Sequence, residues 1–252
     1  MERGLFIETQ TMPMDVEKLP SMQHLRRRPE HLVLIVAGHR EWAKQHQMSY
    51  GNVLAGGAAR IIELIHGCVD RGISQLTVCG YGSDLWLLPP TAANGMLPIF
   101  YRFLSQSAEE LHEKRVRVVV RGDTSRLDQA TRSLLRRIET ITHHNEAMQL
   151  VLALDYRQPW QPVRRTASVL TTRSQRTADQ AVDMPEPDLV VRTGGSLSMA
   201  TGLIWDTQRT SIYVSDSLWP DFDLDELENA MQWFARKHRE QWVHMTTCAP
   251  TP

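Results

Sequence analysis

The sequence predicts an α/β fold in which a central, mostly parallel sheet is flanked by helices. Two features of the chain predict it. Short apolar runs alternate with longer segments of helical spacing, the order that right-handed βαβ crossovers produce. The runs are apolar at successive positions, not at every second one, as in strands covered on both faces.

Residues 31–37 form the first such strand, from His31 through Leu32, Val33, Leu34, Ile35 and Val36 to Ala37, and it ends in Gly38. Over about 53–70, Ala59, Ile62, Ile65, His66 and Val69 recur at helical spacing, and Gly72 follows as a stop. Residues 76–79 are the next strand. About 96–114 is a helix with Phe100, Phe103, Leu104 and Leu111 on one side. Residues 116–120 are a strand, 131–141 lie in a helix, and 150–154 are another buried strand. Two further strands fall at 189–191 and 212–214, and about 224–239 is a final amphipathic helix. The polar stretch 164–187 is either a helix with a ragged face or a long excursion, ended by Pro185 and Pro187. Residues 1–29, with three prolines and no clear period, read as an N-terminal tail. Residues 30–245 read as one domain, and 246–252 as a C-terminal tail.

Composition narrows the class. A chain of 252 residues that is 42% hydrophobic suits one domain with a sizeable core. The formal net charge of −1 supplies no basic field for nucleic acid or an anionic membrane, and Arg26, Arg27 and Arg28 read as a solvated segment before the first strand. Cys68, Cys79 and Cys248 are odd in number and contain no CxxC pair, which fits a reducing compartment and argues against a disulfide framework or a cysteine zinc site. No apolar stretch reaches the roughly 18 residues that span a bilayer, and no signal-peptide core opens the chain. A cytoplasmic protein with no membrane span is the expectation.

In open parallel sheets ligands sit at the carboxyl ends of the strands. The first such end carries Gly38-His39-Arg40-Glu41-Trp42-Ala43-Lys44. A glycine between a buried strand and a helix start lets backbone N–H groups converge on an anion, although it also simply closes turns. Arg40 supplies a fork of donors suited to phosphate oxygens, and His39 could donate a hydrogen bond or a proton to a leaving group. The bland alternative makes Arg40 a solvated cap cation and His39 a loop residue. Asp84, Asp155 and Asp206 lie near strand ends without metal-site spacing, and read as turn or surface groups. Trp205, Trp219 and Trp233 read as core.

Five segments, in order and at matching spacing, carry a resemblance. Ala37 to Lys44 resembles a motif Asp-Gly-Asn-Gly-Arg-Trp-Ala-Lys. Tyr81-Gly82-Ser83-Asp84-Leu85-Trp86 resembles Phe-Ser-Ser-Glu-Asn-Trp. Gly122-Asp123-Thr124-Ser125-Arg126 resembles a Gly-Asp-Thr-Ser-Arg turn. Arg192-Thr193-Gly194-Gly195 and Leu218-Trp219-Pro220-Asp221-Phe222 match two more. These are the motifs of the cis-prenyltransferase (undecaprenyl diphosphate synthase) family, which the chain resembles from about residue 31 to 239. The resemblance implies that family's fold with an apolar tunnel, a homodimer, and the joining of isopentenyl diphosphate to an allylic prenyl diphosphate. It offers Gly38, Trp42, Tyr81, Ser83, Trp86, Met96, Arg192, Gly194 and Gly195 as substrate-binding residues, with His39 and Arg40 as the groups left for chemistry.

The polar residues of that pattern are largely missing. The carboxylate that would place Mg²⁺ is Ala37, the next Asn is His39, and an Arg is Glu41. Other expected charged or polar positions fall at Tyr50, Leu54, Leu88 and Ser211, and the stretch after Gly195 reads Ser196-Leu197-Ser198-Met199-Ala200. Mg²⁺ is implied by the resemblance, but its ligands are absent from it, and no metal ligand is assigned. Two expectations follow. One is an enzyme acting on a single C10–C20 prenyl diphosphate by cyclisation, rearrangement or unusual transfer. The other is a non-catalytic subunit of an active cis-prenyltransferase.

Overall fold

The computed structural model describes residues 28–81, 90–154, 186–195 and 210–247, without the side chains of 80, 81, 90–97 and 241–247. Six strands form one sheet: β1 (His31–Ile35), β2 (Gln75–Tyr81), β3 (Val116–Gly122), β4 (Met148–Leu154), β5 (Leu189–Arg192) and β6 (Ser211–Val214). Their order is β3-β4-β2-β1-β5-β6, and every neighbouring pair is parallel. The helices are α1 (His39–Gln45), α2 (Tyr50–Asp70), α3 (Pro90–Glu113), α4 (Gln129–Thr142) and α5 (Leu224–Thr247).

The strands bury both faces, so their side chains divide by parity. Leu32, Leu34, Leu76, Val78, Val118, Leu150, Leu152 and Val191 join a large cluster with Leu64, Ile65, Leu104, Leu135, Ile138 and Phe234 from α2 to α5. Val33, Ile35, Cys79, Val119, Val151, Ala153 and Val190 form a second cluster on the opposite face. Such a division accounts for the continuous apolar runs in the sequence. Burial pushes the thiols of Cys68 and Cys79 up to about 12, so both stay protonated and act as small apolar groups.

Local signals place the helix ends. The Ser49 hydroxyl accepts from the Asn52 N–H at 3.3 Å, and the Asp128 carboxylate accepts from the Thr131 N–H at 2.7 Å. Gly72, at φ +66°, closes α2 as the sequence suggested. Helix α3 starts at Pro90, before the residue 96 expected from periodicity, and runs through Pro98. A proline at the first helical position sacrifices an N–H that has no partner there anyway. Helix α1 is a separate short element between Gly38 and α2.

The two sheet edges are treated differently. On β3, Glu139 and Thr142 of α4 accept the N–H groups of Val120 and Val118 at 2.8 and 3.1 Å, and Asn145 donates to the Val116 carbonyl. These side chains cover an edge that would otherwise pair with another chain. On β6, Ile212 is 39% exposed.

Trp219 sets the spacing between α2 and the sheet's end. It is fully buried, and a Cβ added at Gly57 would lie 2.3 Å from its Nε1. One residue earlier, a Cβ at Gly56 would meet nothing within 4 Å. Gly57→Ala should therefore destabilise by about 1–3 kcal/mol through overpacking. Gly56→Ala should stabilise by roughly 0.5–1 kcal/mol, because alanine loses less backbone entropy in a helix. Urea unfolding of the two variants checks the opposite signs.

Candidate functional site

The carboxyl edge of β1, β5 and β6 is closed by three loops that share one hydrogen-bond network. The Thr193 hydroxyl donates to the Ala37 carbonyl at 2.7 Å and accepts from the Ala37 N–H at 2.8 Å. The Trp219 N–H donates to the same carbonyl at 3.1 Å. Gly194 and Gly195, at φ +85° and +64°, turn their N–H groups onto the carbonyls of Ser217 and Ser215, each at 2.9 Å. A side chain at Gly194 would sit 3.2 Å from the Ala37 carbonyl group. Gly38 has φ +100°, and a Cβ there would stand 3.0 Å from Leu218 Cδ2 and 3.1 Å from its Cα. These positions accept glycine because the loops approach one another so closely and in left-handed backbone.

The persistence of Thr193-Gly194-Gly195 thus has a packing explanation. Offered by the sequence as ligand contacts, Gly194 and Gly195 have their N–H groups turned onto neighbouring carbonyls. Arg192 ends β5, and its carbonyl accepts from Ser215 at 2.8 Å. The Ser215 hydroxyl in turn donates to Glu226 at 2.9 Å, which ties this edge to α5.

Beside that frame, α1 begins directly after Gly38, so His39 and Arg40 occupy its first turn and not an open loop. His39 is half-buried, with its ring 6.3 Å from those of Tyr50 and Trp219. Burial holds its imidazole down at about 4, against the opposing pull of Glu41. His39 is therefore neutral near pH 7. It can offer a ring N–H as a hydrogen-bond donor. Arg40 is exposed, and its positive charge opposes the burial that raises the Tyr50 pKa above the usual phenol range. Tyr50 opens α2. Trp42 stacks on His46 at 3.9 Å, and its Nε1 is buried without a hydrogen-bond partner.

Of the other expected residues, Ser83, Asp84, Trp86, Leu88, Asp155, Ser196 to Ala200, Trp205 and Asp206 lie outside the described residues, as do the side chains of Tyr81 and Met96. The apolar channel expected near Gly38 draws on several of these. Trp219 is in the core, and Trp233 is partly buried against it, packing edge-on on Tyr213 at 5.5 Å. The described residues at this edge do not fit Mg²⁺. Ala37 offers a methyl group, and its carbonyl already accepts from two donors.

A family model described as "Putative undecaprenyl diphosphate synthase" matches residues 35–241. The chain belongs to this prenyltransferase family. An isoprenyl transferase from Nitrosomonas europaea is 28% identical over 221 residues, covering 84% of each chain. One from Agrobacterium fabrum is 29% identical over 224 residues, covering 84% of this chain and 91% of its own. The fold matches the crystal structure of lavandulyl diphosphate synthase from Lavandula x intermedia in complex with dimethylallyl diphosphate. The TM-score is 0.73 at 21% identity, over 83% of this chain and 96% of that one. A probable undecaprenyl diphosphate synthase from Campylobacter jejuni matches with a TM-score of 0.63 at 22% identity, over 82% and 94% of the two chains. This prenyltransferase-family enzyme has no helix, among its described residues, long and apolar enough to cross a membrane.

The depressed His39 pKa has a sign. Between about pH 6.5 and 4 the unfolded chain binds a proton at this residue that the folded chain refuses, so stability falls as pH falls through that window. His39→Phe should flatten that part of the stability–pH profile. Thermal melts of parent and variant at half-unit pH steps check it.

Proposed function

We propose that this enzyme binds one allylic prenyl diphosphate of C10–C20 length and converts it by cyclisation, rearrangement or unusual transfer, without the family's carboxylate–magnesium elongation. A single observation carries this reading. At the carboxyl end of β1, inside an intact three-loop frame, Ala37 presents a methyl group where the resemblance expects a carboxylate. The frame that stabilises the fold is kept, and the charged group that would place a metal is not.

In such a reaction the C–O bond to the diphosphate breaks and its electron pair leaves with the diphosphate. The allylic cation that remains closes on its own double bonds, loses a proton, or is captured by an acceptor. Arg40 would hold the leaving group through its guanidinium, beside the Tyr50 hydroxyl. Neutral His39 would donate a hydrogen bond to the bridging oxygen. Glu41, exposed in the same turn, opposes the anion and limits the affinity.

The names of the relatives support a prenyl diphosphate as substrate. The partner-subunit reading draws on one fact: the Thr193-Gly194-Gly195 motif is explained by packing and needs no ligand. A cytoplasmic location and a homodimer belong to the same proposal. The edge strand β6, with the Ile212 side chain exposed, is the face for self-association.

The deciding experiment incubates the purified protein with C10, C15 and C20 diphosphates, with and without isopentenyl diphosphate and Mg²⁺. Products from the allylic substrate alone are expected. Long polyprenyl products made by this chain alone would overturn the proposal, and tight binding without turnover would favour the subunit. Arg40→Ala should weaken binding of a non-hydrolysable prenyl diphosphate analogue by about tenfold or more, since one charge-assisted contact is at stake. His39→Ala should lower turnover more than binding. Light scattering at micromolar concentration should give the mass of two chains.

A further inference from the structure

We propose that the cleft at the carboxyl end of β3 is a second anion site, built for a phosphate or diphosphate group and separate from the edge around Gly38. It lies three strand positions from β1 in the sheet, about 14 Å at ordinary strand spacing. The inference does not rest on the activity proposed above.

The cleft encloses about 200 Å³, lined by Arg121 and Gly122 at the end of β3, Thr124 in the following turn, and Arg132, Arg136 and Glu139 on α4. That is room for a polyatomic ion, where a single water needs roughly 10–15 Å³ on the same kind of measure. Three guanidiniums and the Glu139 carboxylate line the cleft, and Asp128 at the start of α4 also acts on Arg132. The Glu139 carboxylate is committed, because it accepts the N–H of Val120 at 2.8 Å as the cap of the β3 edge. None of the three arginines forms an ion pair within 4 Å among the described residues.

Their hydrogen bonds go to neutral acceptors. Arg121 Nη1 donates to the Val120 carbonyl at 3.1 Å, Arg132 Nη1 to the Ser125 carbonyl at 3.1 Å, and Arg136 Nη2 to the Ser133 hydroxyl at 3.3 Å. Arg121 Nε is buried with no hydrogen-bond partner among the described residues. A buried charged donor without an acceptor is costly, and an oxyanion in the cleft would satisfy it. Arg132 and Arg136 are also four residues apart on one face of α4, a like-charge pair that destabilises a helix until an anion lies between them. Planar guanidinium forks suit tetrahedral oxyanions, and the small volume suits a free ion.

The test is calorimetric titration of the full chain with inorganic phosphate and, separately, inorganic diphosphate, in chloride-free buffer. Parent, Arg40→Ala, Arg40→Ala/Arg136→Gln and Arg40→Ala/Arg132→Gln/Arg136→Gln proteins are compared. Arg40→Ala removes the Gly38 edge from the readout, so it should still bind one ion per chain, and the tighter of the two ions names the occupant. Adding Arg136→Gln should weaken that binding by about tenfold, and adding both should weaken it by about a hundredfold. Arg136 is exposed on a helix surface, so the first of these variants keeps its fold, and a thermal melt confirms it. An Arg40→Ala protein that binds neither ion overturns the site. Affinity in the Arg136→Gln variant equal to that of Arg40→Ala overturns it too.

Discussion

Both hydrogen-bonding groups of Ala37 are fixed by one threonine side chain. Thr193 accepts from its N–H and donates to its carbonyl, while Trp219 donates to that same carbonyl from the third loop. Three chain segments far apart in sequence meet at this point. The approach is close enough to demand glycine at 38 and 194, and it fixes where Trp219 enters the space against Gly57. Trp219 is fully buried and anchors α2 over the sheet, so the register of loops, helix and strand ends depends on those few bonds. A buried backbone group left unpaired costs about 1–3 kcal/mol, which is why this knot tolerates so little change.

The same logic separates frame from chemistry. Groups that satisfy buried backbone, such as Thr193, Ser215 and Glu139, are bound by geometry. Groups that face outward, such as Arg40 and Glu41, stabilise the fold little and are free to vary. A prenyltransferase scaffold can therefore hold its glycines and tryptophans while the polar lining of its ligand edge is rewritten. Arg40 and Tyr50 lie close enough to interact electrostatically. The cation stands on α1 and the phenol on α2.

Charge on the far side of the sheet follows a different rule. Helix α4 is tied to the β3 edge by Glu139 and Thr142, and that attachment brings Arg132 and Arg136 to the strand end that carries Arg121. Covering an edge and building a positive cleft are two results of one docking.

The sequence alone determined the fold class and most of the strands. Continuous apolar runs can be satisfied only in a sheet covered on both faces, and the glycines at 38, 72, 194 and 195 mark backbone turns that other residues strain to adopt. It also determined that residue 37 carries no carboxylate, since that is a matter of identity and not of arrangement. It could not give the start of α3, because periodicity fades over the polar first turns and Pro98 looks like a breaker. Only the tertiary structure decided that the Gly194 and Gly195 N–H groups are occupied by Ser217 and Ser215, that His39 is held neutral, and that three arginines share one cleft. Each of these depends on which distant segments come within hydrogen-bond reach and how much water they exclude. Both are properties of packing, which residue spacing along a chain does not encode.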